Sequence, residues 1–317
     1  MRMDMQKFKK MLTVFGRMVS IICILFVGYR LYKLDIDWGL FARSPGKILI
    51  IMGLLFLQVI DNCLNVTSWK MYLDTFSAQK NSYSEIASIY LKSNIAKYLP
   101  GNVAHYVGRN VLGKKIGVKQ SSILMATIFE VICLSVFNIL FALVMSFQNT
   151  QNFISRLVAE QRMFVDSPIL IMIVLIILMI GICVLVKYRK KIAHFLTKEV
   201  ALTVIKTIPI YIATIMVTAL MLTLIFFAIL NMPINYASVA SANSLSWLAG
   251  YIVPGAPGGI GIREVVLVWL LEAECLPELV ILAAVLLRIC VIFGDSLSFL
   301  GAVFMDSLKR RKEVRNA

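Results

Sequence analysis

The sequence predicts an all-α polytopic membrane protein: six full spans plus two re-entrant helical hairpins, arranged as an inverted repeat. Three observations predict it. The 317 residues are 60% hydrophobic and only 15% charged, whereas a soluble domain is about 45–50% apolar and about 25% charged. Six stretches approach the roughly 20 apolar residues that a bilayer-crossing helix needs. Two further apolar stretches are interrupted by matching Pro-Gly breakers. With a mean hydropathy of +0.84, the composition excludes an ordinary soluble enzyme, a disordered chain and a fibrous repeat.

The first span is 12–32, preceded by Lys7, Lys9 and Lys10. The run Gly-Tyr-Arg-Leu-Tyr-Lys at 28–33 offers no small-residue cleavage site, so this is an uncleaved anchor and not a signal peptide. Span 47–68 follows, with Asp61, Asn62 and Asn65 near its end; Asp61 is expected at the membrane interface. Spans 121–147 (one charge, Glu130), 168–186, 207–230 and 279–305 (Arg288 and Asp295) complete the set. The whole chain reads as one integral membrane domain, 1–317. It comprises a first repeat over 47–147, a linking span at 168–186, a second repeat over 207–305 and a tail over 306–317.

The net charge is +15. The positive residues gather in 69–120, 187–198 and the tail, while 33–46, 148–167 and 272–278 are mixed or acidic. The positive-inside rule then places both termini in the cytoplasm, and six spans satisfy that parity. The basic loops read as a coat for anionic lipid heads; no nucleic-acid recognition module is present, so nucleic acid is excluded as a partner. The six cysteines form no CxxC pair and there are two histidines, which argues against a disulfide framework or a metal site.

The two broken stretches are 83–112 and 237–271. In the first, Pro100-Gly101 is followed by Arg109. In the second, a small-residue helix over 237–253 meets Pro254-Gly255-Ala256-Pro257-Gly258-Gly259-Ile260-Gly261, and a short helix from Ile262 to Leu271 follows. Both breakers read Pro-Gly-x7-Arg, 154 residues apart. Their flanking spans pair at nearly the same offset, but the first trio starts outside and the second inside. That is the pattern of an inverted-topology repeat with broken helices near the midplane.

Proline lacks an N–H and glycine accepts any backbone angle, so together they end a helix inside the membrane. The freed backbone groups must be buried in protein or line a wet cavity. The helix that follows turns its positive end toward that cavity, where Arg109 and Arg263 add forks suited to phosphate. For 84–99, with Lys92 and Lys97, two placements stand: re-entrant, or flat on the inner leaflet.

Charges within apolar runs normally face the protein interior with a partner. His105 and Arg109 share a helix face, as do Arg288 and Asp295. Two readings are open for Arg288 and Asp295: ion pairing between helices, or a polar cavity for a lipid head group. In the second reading Glu130 and Asp295 are candidate proton or cation carriers. Trp247 and Tyr251 read as packing or interface anchors. The expected substrate-binding set is Pro100, Gly101, His105, Arg109, Glu130, Pro254, Gly255, Gly258, Gly259, Arg263, Glu264, Arg288 and Asp295. No catalytic residue, metal or cofactor is expected. Walker A, HExxH and GxSxG sequences are absent.

The run Pro254 to Glu264, with Lys97-Tyr98-Leu99-Pro100-Gly101 upstream, resembles the flippase-like membrane domain family. That family includes the membrane half of bacterial lysylphosphatidylglycerol synthase. The resemblance covers roughly residues 10–308. It implies a multi-pass protein of the bacterial cell membrane that moves a lipid-linked head group between leaflets. The chain ends about a dozen residues after the last span, without the soluble aminoacyl-transfer domain, so the synthase activity does not carry over.

Three functions follow as expectations. The first is a non-enzymatic translocase for an anionic or lipid-linked head group, such as an aminoacylated phospholipid or a polyprenyl-phosphate sugar. The second is an intramembrane polyprenyl-pyrophosphate phosphatase. That motif sets serine beside arginine, whereas here Ile262 and Gly108 precede the arginines. The third is a non-transporting partner subunit of an envelope lipid or polysaccharide enzyme. The partners expected are membrane lipids, an envelope-biosynthesis enzyme and a second copy of the chain.

Overall fold

Every regular element among the residues described in the computed structural model is helical. It describes residues 45–77, 80–98, 103–147, 149, 151, 197–252, 259 and 261–316. Spans 12–32 and 168–186, and Pro100, Gly101, Pro254, Gly255 and Gly258 of the breakers, lie outside the described residues.

Among the described residues, eight helices follow in order. Helix α1 is Pro45–Phe76, α2 is Tyr83–Asn94 and continues as a 3-10 turn Ile95–Tyr98, α3 is Ala104–Lys115 and α4 is Gln120–Met145. Helix α5 is Lys198–Leu224, extended by a π-helical turn Ile225–Ile229; α6 is Tyr236–Ile252, α7 is Ile262–Leu271 and α8 is Pro277–Asn316. Segments Gly46–Phe76, Gln120–Met145, Lys198–Ile229 and Pro277–Lys309 are each long and apolar enough to cross a membrane. At 1.5 Å per residue, even the 26 residues of Gln120–Met145 reach about 39 Å, beyond the roughly 30 Å hydrocarbon core. The chain is therefore a helical membrane protein.

Three spans are longer than the sequence indicated; the last of them, α8, runs from Pro277 through the expected tail to Asn316. Helix α1 runs on from residue 68 to Phe76 because its polar residues turn inward: Gln58, Asp61, Asn62 and Ser68 are all buried. Their polarity lowers local hydropathy without ending the helix, and Lys70 pairs with Asp74 one turn on. Helix α5 starts at Lys198 and not at 207. The Thr197 hydroxyl accepts the Val200 N–H at 3.3 Å, a favourable N-cap. Pro209 lies inside the helix without breaking it, as transmembrane helices tolerate. The chain leaves the π turn through Asn231 at φ 54°, a left-handed position that asparagine accepts.

The outer faces of the long helices are apolar. Leu49, Met52 and Phe56 on α1, Ile132 and Val144 on α4, and Phe293, Leu300 and Phe304 on α8 are all exposed. Inside, α6 approaches α4 through small residues. Ala240, Ser241, Ala242 and Ser244 are buried, and the Ser241 hydroxyl donates to the Ala142 carbonyl at 3.2 Å. Small side chains of this kind let membrane helices meet closely.

Helix neighbours repeat between the halves. Helices α2 and α3 pack together, as do α6 and α7; α1 packs on α2, and α5 on α6. The last span of each set crosses over: α8 packs on α2, and α4 packs on α6. Helix α2 is buried on several faces, through Ile86, Ile89 and Tyr90 among others, so it is integrated into the bundle.

Candidate functional site

All eight helices contribute to one cavity of about 280 Å³. Its wall carries His105, Arg109, Glu130, Arg263, Glu264 and Arg288 from the expected set. Asp295 stands just behind, held by wall residues.

Arg109 is buried on α3. Its guanidinium donates to Glu130 of α4 at 2.5 Å. The Tyr90, Trp69 and Tyr106 rings surround it, with centroids 3.9, 5.2 and 5.5 Å from Cζ, a cation–π cage. The other Glu130 oxygen accepts from the Tyr90 hydroxyl at 3.0 Å. His105, one turn before Arg109, is also buried, and its Nδ1 has no hydrogen-bond partner among the described residues. Arg109 is thus a neutralised cation, and Glu130, a candidate carrier in one of the two open readings, is engaged by it.

Arg263 is arranged differently. Its neighbour Glu264 pairs with Arg288 of α8 and also accepts the Gly261 N–H at 2.7 Å. That bond caps α7 at a glycine with φ 88°. The Arg288 guanidinium further donates to the Gly259 carbonyl at 2.9 Å. Arg288 therefore clamps the end of the breaker and uses up the nearest carboxylate. Arg263 finds no carboxylate among the described residues, and its buried Nε has no acceptor. It lies beneath Trp247, 5.9 Å from the ring centroid.

Glycines make room for it. A Cβ on Gly250 would stand 2.6 Å from Arg263 Cγ and 3.2 Å from Gly259 Cα. Gly259, at φ 71°, touches Gly250 in return. Of the glycine-rich run, this is the part whose role is visible: a close crossing of α6 against the breaker, with the arginine stem alongside.

The pairing of Arg288 and Asp295 is between helices, as the first of the two open readings had it, but each takes its own partner. Asp295 pairs with Lys97 at 2.6 Å and accepts from Tyr98 at 2.5 Å, Asn62 at 2.9 Å and Gln58 at 3.1 Å. Close approach of α8 to α1 permits this, since a Cβ on Gly294 would stand 2.5 Å from Gln58 Cγ.

Asp61, expected at the membrane interface, is buried in the cavity wall, and α1 continues well past it. Trp247 and Tyr251 take the packing role of the two expected for them. Their rings stack at 5.1 Å and 8° in the cavity, and the Tyr251 hydroxyl meets that of Tyr106 across the two hairpins. Sequence reasoning also passed over Gln58, Asn62, Asn94, Tyr90, Tyr98, Tyr106 and Thr214, which all line the cavity. The available signal was their polarity at helical spacing within apolar runs.

The chain matches no protein-family model and no curated protein. Fold and site therefore stand on their own: a helical membrane protein whose cavity holds one caged arginine, Arg109, and one, Arg263, without an ion pair among the described residues.

Proposed function

We propose that this protein is a lipid translocase, whose cavity takes the head group of an anionic or lipid-linked substrate while the tails stay in the bilayer. The observation that carries this reading is Arg263. A cation within a membrane protein is expensive unless paired, and Arg263 has no ion-pair partner among the described residues of the cavity wall. A phosphate is the natural partner for a guanidinium fork. A volume of about 280 Å³ lies near the lower end of small-molecule sites, about 300–1,000 Å³, so it suits a head group and not acyl chains.

Two further features support the reading. Val103, Val107 and Val111 form an exposed apolar stripe along α3, which suits a re-entrant hairpin bathed in lipid. The exchanged packing of α4 and α8 on the opposite hairpins suits an inverted repeat that rocks about a central site.

Purified protein in liposomes with labelled anionic lipids tests this. Wild-type protein should accelerate leaflet exchange of at least one of them. Arg263→Ala should lower that rate by about tenfold or more, with Arg263→Lys intermediate. No acceleration by folded protein for any anionic lipid tried, or full activity in Arg263→Ala, would refute the proposal.

A further inference from the structure

Five asparagines line the cavity, on α1, α2, α4 and α6. An amide offers two N–H donors at one end and a carbonyl acceptor at the other, and its partners decide which end points where. For four of the five the partners decide it. Asn138 Nδ2 donates to the Leu134 carbonyl at 2.8 Å, a group that can only accept. Asn65 Nδ2 donates to the Asp61 carbonyl at 2.9 Å and to its carboxylate at 3.1 Å. Asn243 Nδ2 donates at 3.2 Å to the Thr218 hydroxyl, whose proton goes to the Ile215 carbonyl. Asn94 Nδ2 donates to Asn62 Oδ1 at 3.4 Å, and Asn62 is oriented in turn by its own bond to Asp295.

The outcome is one-sided. In Asn65, Asn94, Asn138 and Asn243 the N–H end is turned to protein, and the carbonyl oxygen takes no hydrogen bond from the described residues. None of these four oxygens is buried out of reach of a ligand. A molecule held here therefore has to bring several donors. Ammonium groups donate, but their strong partner is a carboxylate, and those of the wall are engaged. Glu130 is paired with Arg109 and Glu264 with Arg288, while Asp61 accepts from the Asn65 amide and the Thr214 hydroxyl. Neutral hydroxyls match neutral carbonyl oxygens, and a ring bearing several of them reaches acceptors on several helices at once. Arg263 stands in the same cavity without an ion pair among the described residues, which suits a phosphate.

We propose that the cavity recognises a phosphate-linked sugar, with its hydroxyls donating to Asn65, Asn94, Asn138 and Asn243 and its phosphate on Arg263. As the identity of a transported head group this rests on the translocation reading; as a binding site it does not.

Binding is read without lipid transport, so the two can fail separately. The unfolding midpoint of detergent-purified protein is measured with the 1-phosphates of glucose, galactose, mannose and N-acetylglucosamine, and with short-chain prenyl-phosphate forms of the same sugars. Inorganic phosphate, prenyl phosphate and an aminoacylated phosphatidylglycerol serve as comparisons. A ligand that binds only the folded state raises the midpoint with concentration. At least one sugar phosphate should do so at about tenfold lower concentration than the matching phosphate without sugar. A rise confined to the prenyl forms supports the site with a lipid as its ligand; an equal rise with the soluble forms supports it with a free sugar phosphate. Asn138→Leu and Asn243→Leu should each raise the half-saturating sugar phosphate about fivefold and leave the effect of phosphate alone unchanged. Arg263→Ala should weaken both. No gain from the sugar in folded wild-type protein, an undiminished gain in both asparagine variants, or a larger rise with the aminoacylated lipid overturns the proposal.

Discussion

Arg109 and Arg263 follow Pro-Gly at the same spacing, yet Arg109 is paired with Glu130 inside an aromatic cage, while Arg263 forms no ion pair among the described residues. The two should respond differently to removal. Arg109→Ala leaves Glu130 buried and unpaired and should cost about 3–5 kcal/mol of stability, read by unfolding in detergent. Adding Glu130→Leu to that variant should recover most of the loss, since replacing both members of a buried pair with apolar residues is often neutral. Arg263→Ala removes no partner from another residue, so it should leave the unfolding midpoint nearly unchanged while abolishing exchange. A midpoint that falls as far for Arg263→Ala as for Arg109→Ala would contradict this division of roles.

At the scale of elements, the crossing of α6 over the breaker has no spare volume. Gly250→Ala places a methyl against Arg263 Cγ and Gly259 Cα. Overpacking of this kind costs about 1–3 kcal/mol, and the displaced arginine should weaken anion binding as well. Thermal unfolding and lipid exchange on the same variant check both effects. The clamp of α2 to the end of α8 should matter far less. Lys309 pairs with Glu85 at 2.5 Å, but both side chains are substantially solvent-exposed. Exposed pairs are worth about 0–1 kcal/mol, so Lys309→Ala should shift unfolding by no more than that.

For the whole molecule, an inverted repeat makes a topological prediction. The α2–α3 hairpin should be entered from the cytoplasmic side and the α6–α7 hairpin from outside. In a chain freed of its native cysteines, a membrane-impermeant thiol reagent on intact cells should label a cysteine at Glu274 and not one at Asn81. Labelling of both from the same side would remove the inverted repeat and, with it, the rocking mechanism.

The sequence by itself determined the membrane class, the four described spans to within a few residues at most ends, and both hairpin helices, α6 and α7 almost to the residue. Hydropathy and Pro-Gly breaks are local properties, so they are legible without a partner. Arg109, Glu130, Arg263, Glu264 and Arg288 were legible as site candidates because a charge in an apolar run must face inward. What only the tertiary structure decided is which charge meets which. Glu264 lies beside Arg263 in the chain but pairs with Arg288, and Asp295 finds Lys97 across 198 positions. That Asp61 lines the cavity was also decided by tertiary structure, since its place near the end of an apolar run does not say which helices it faces. Ion pairing depends on a few ångströms between side chains of different helices, and one-dimensional spacing carries no information about which helices become neighbours.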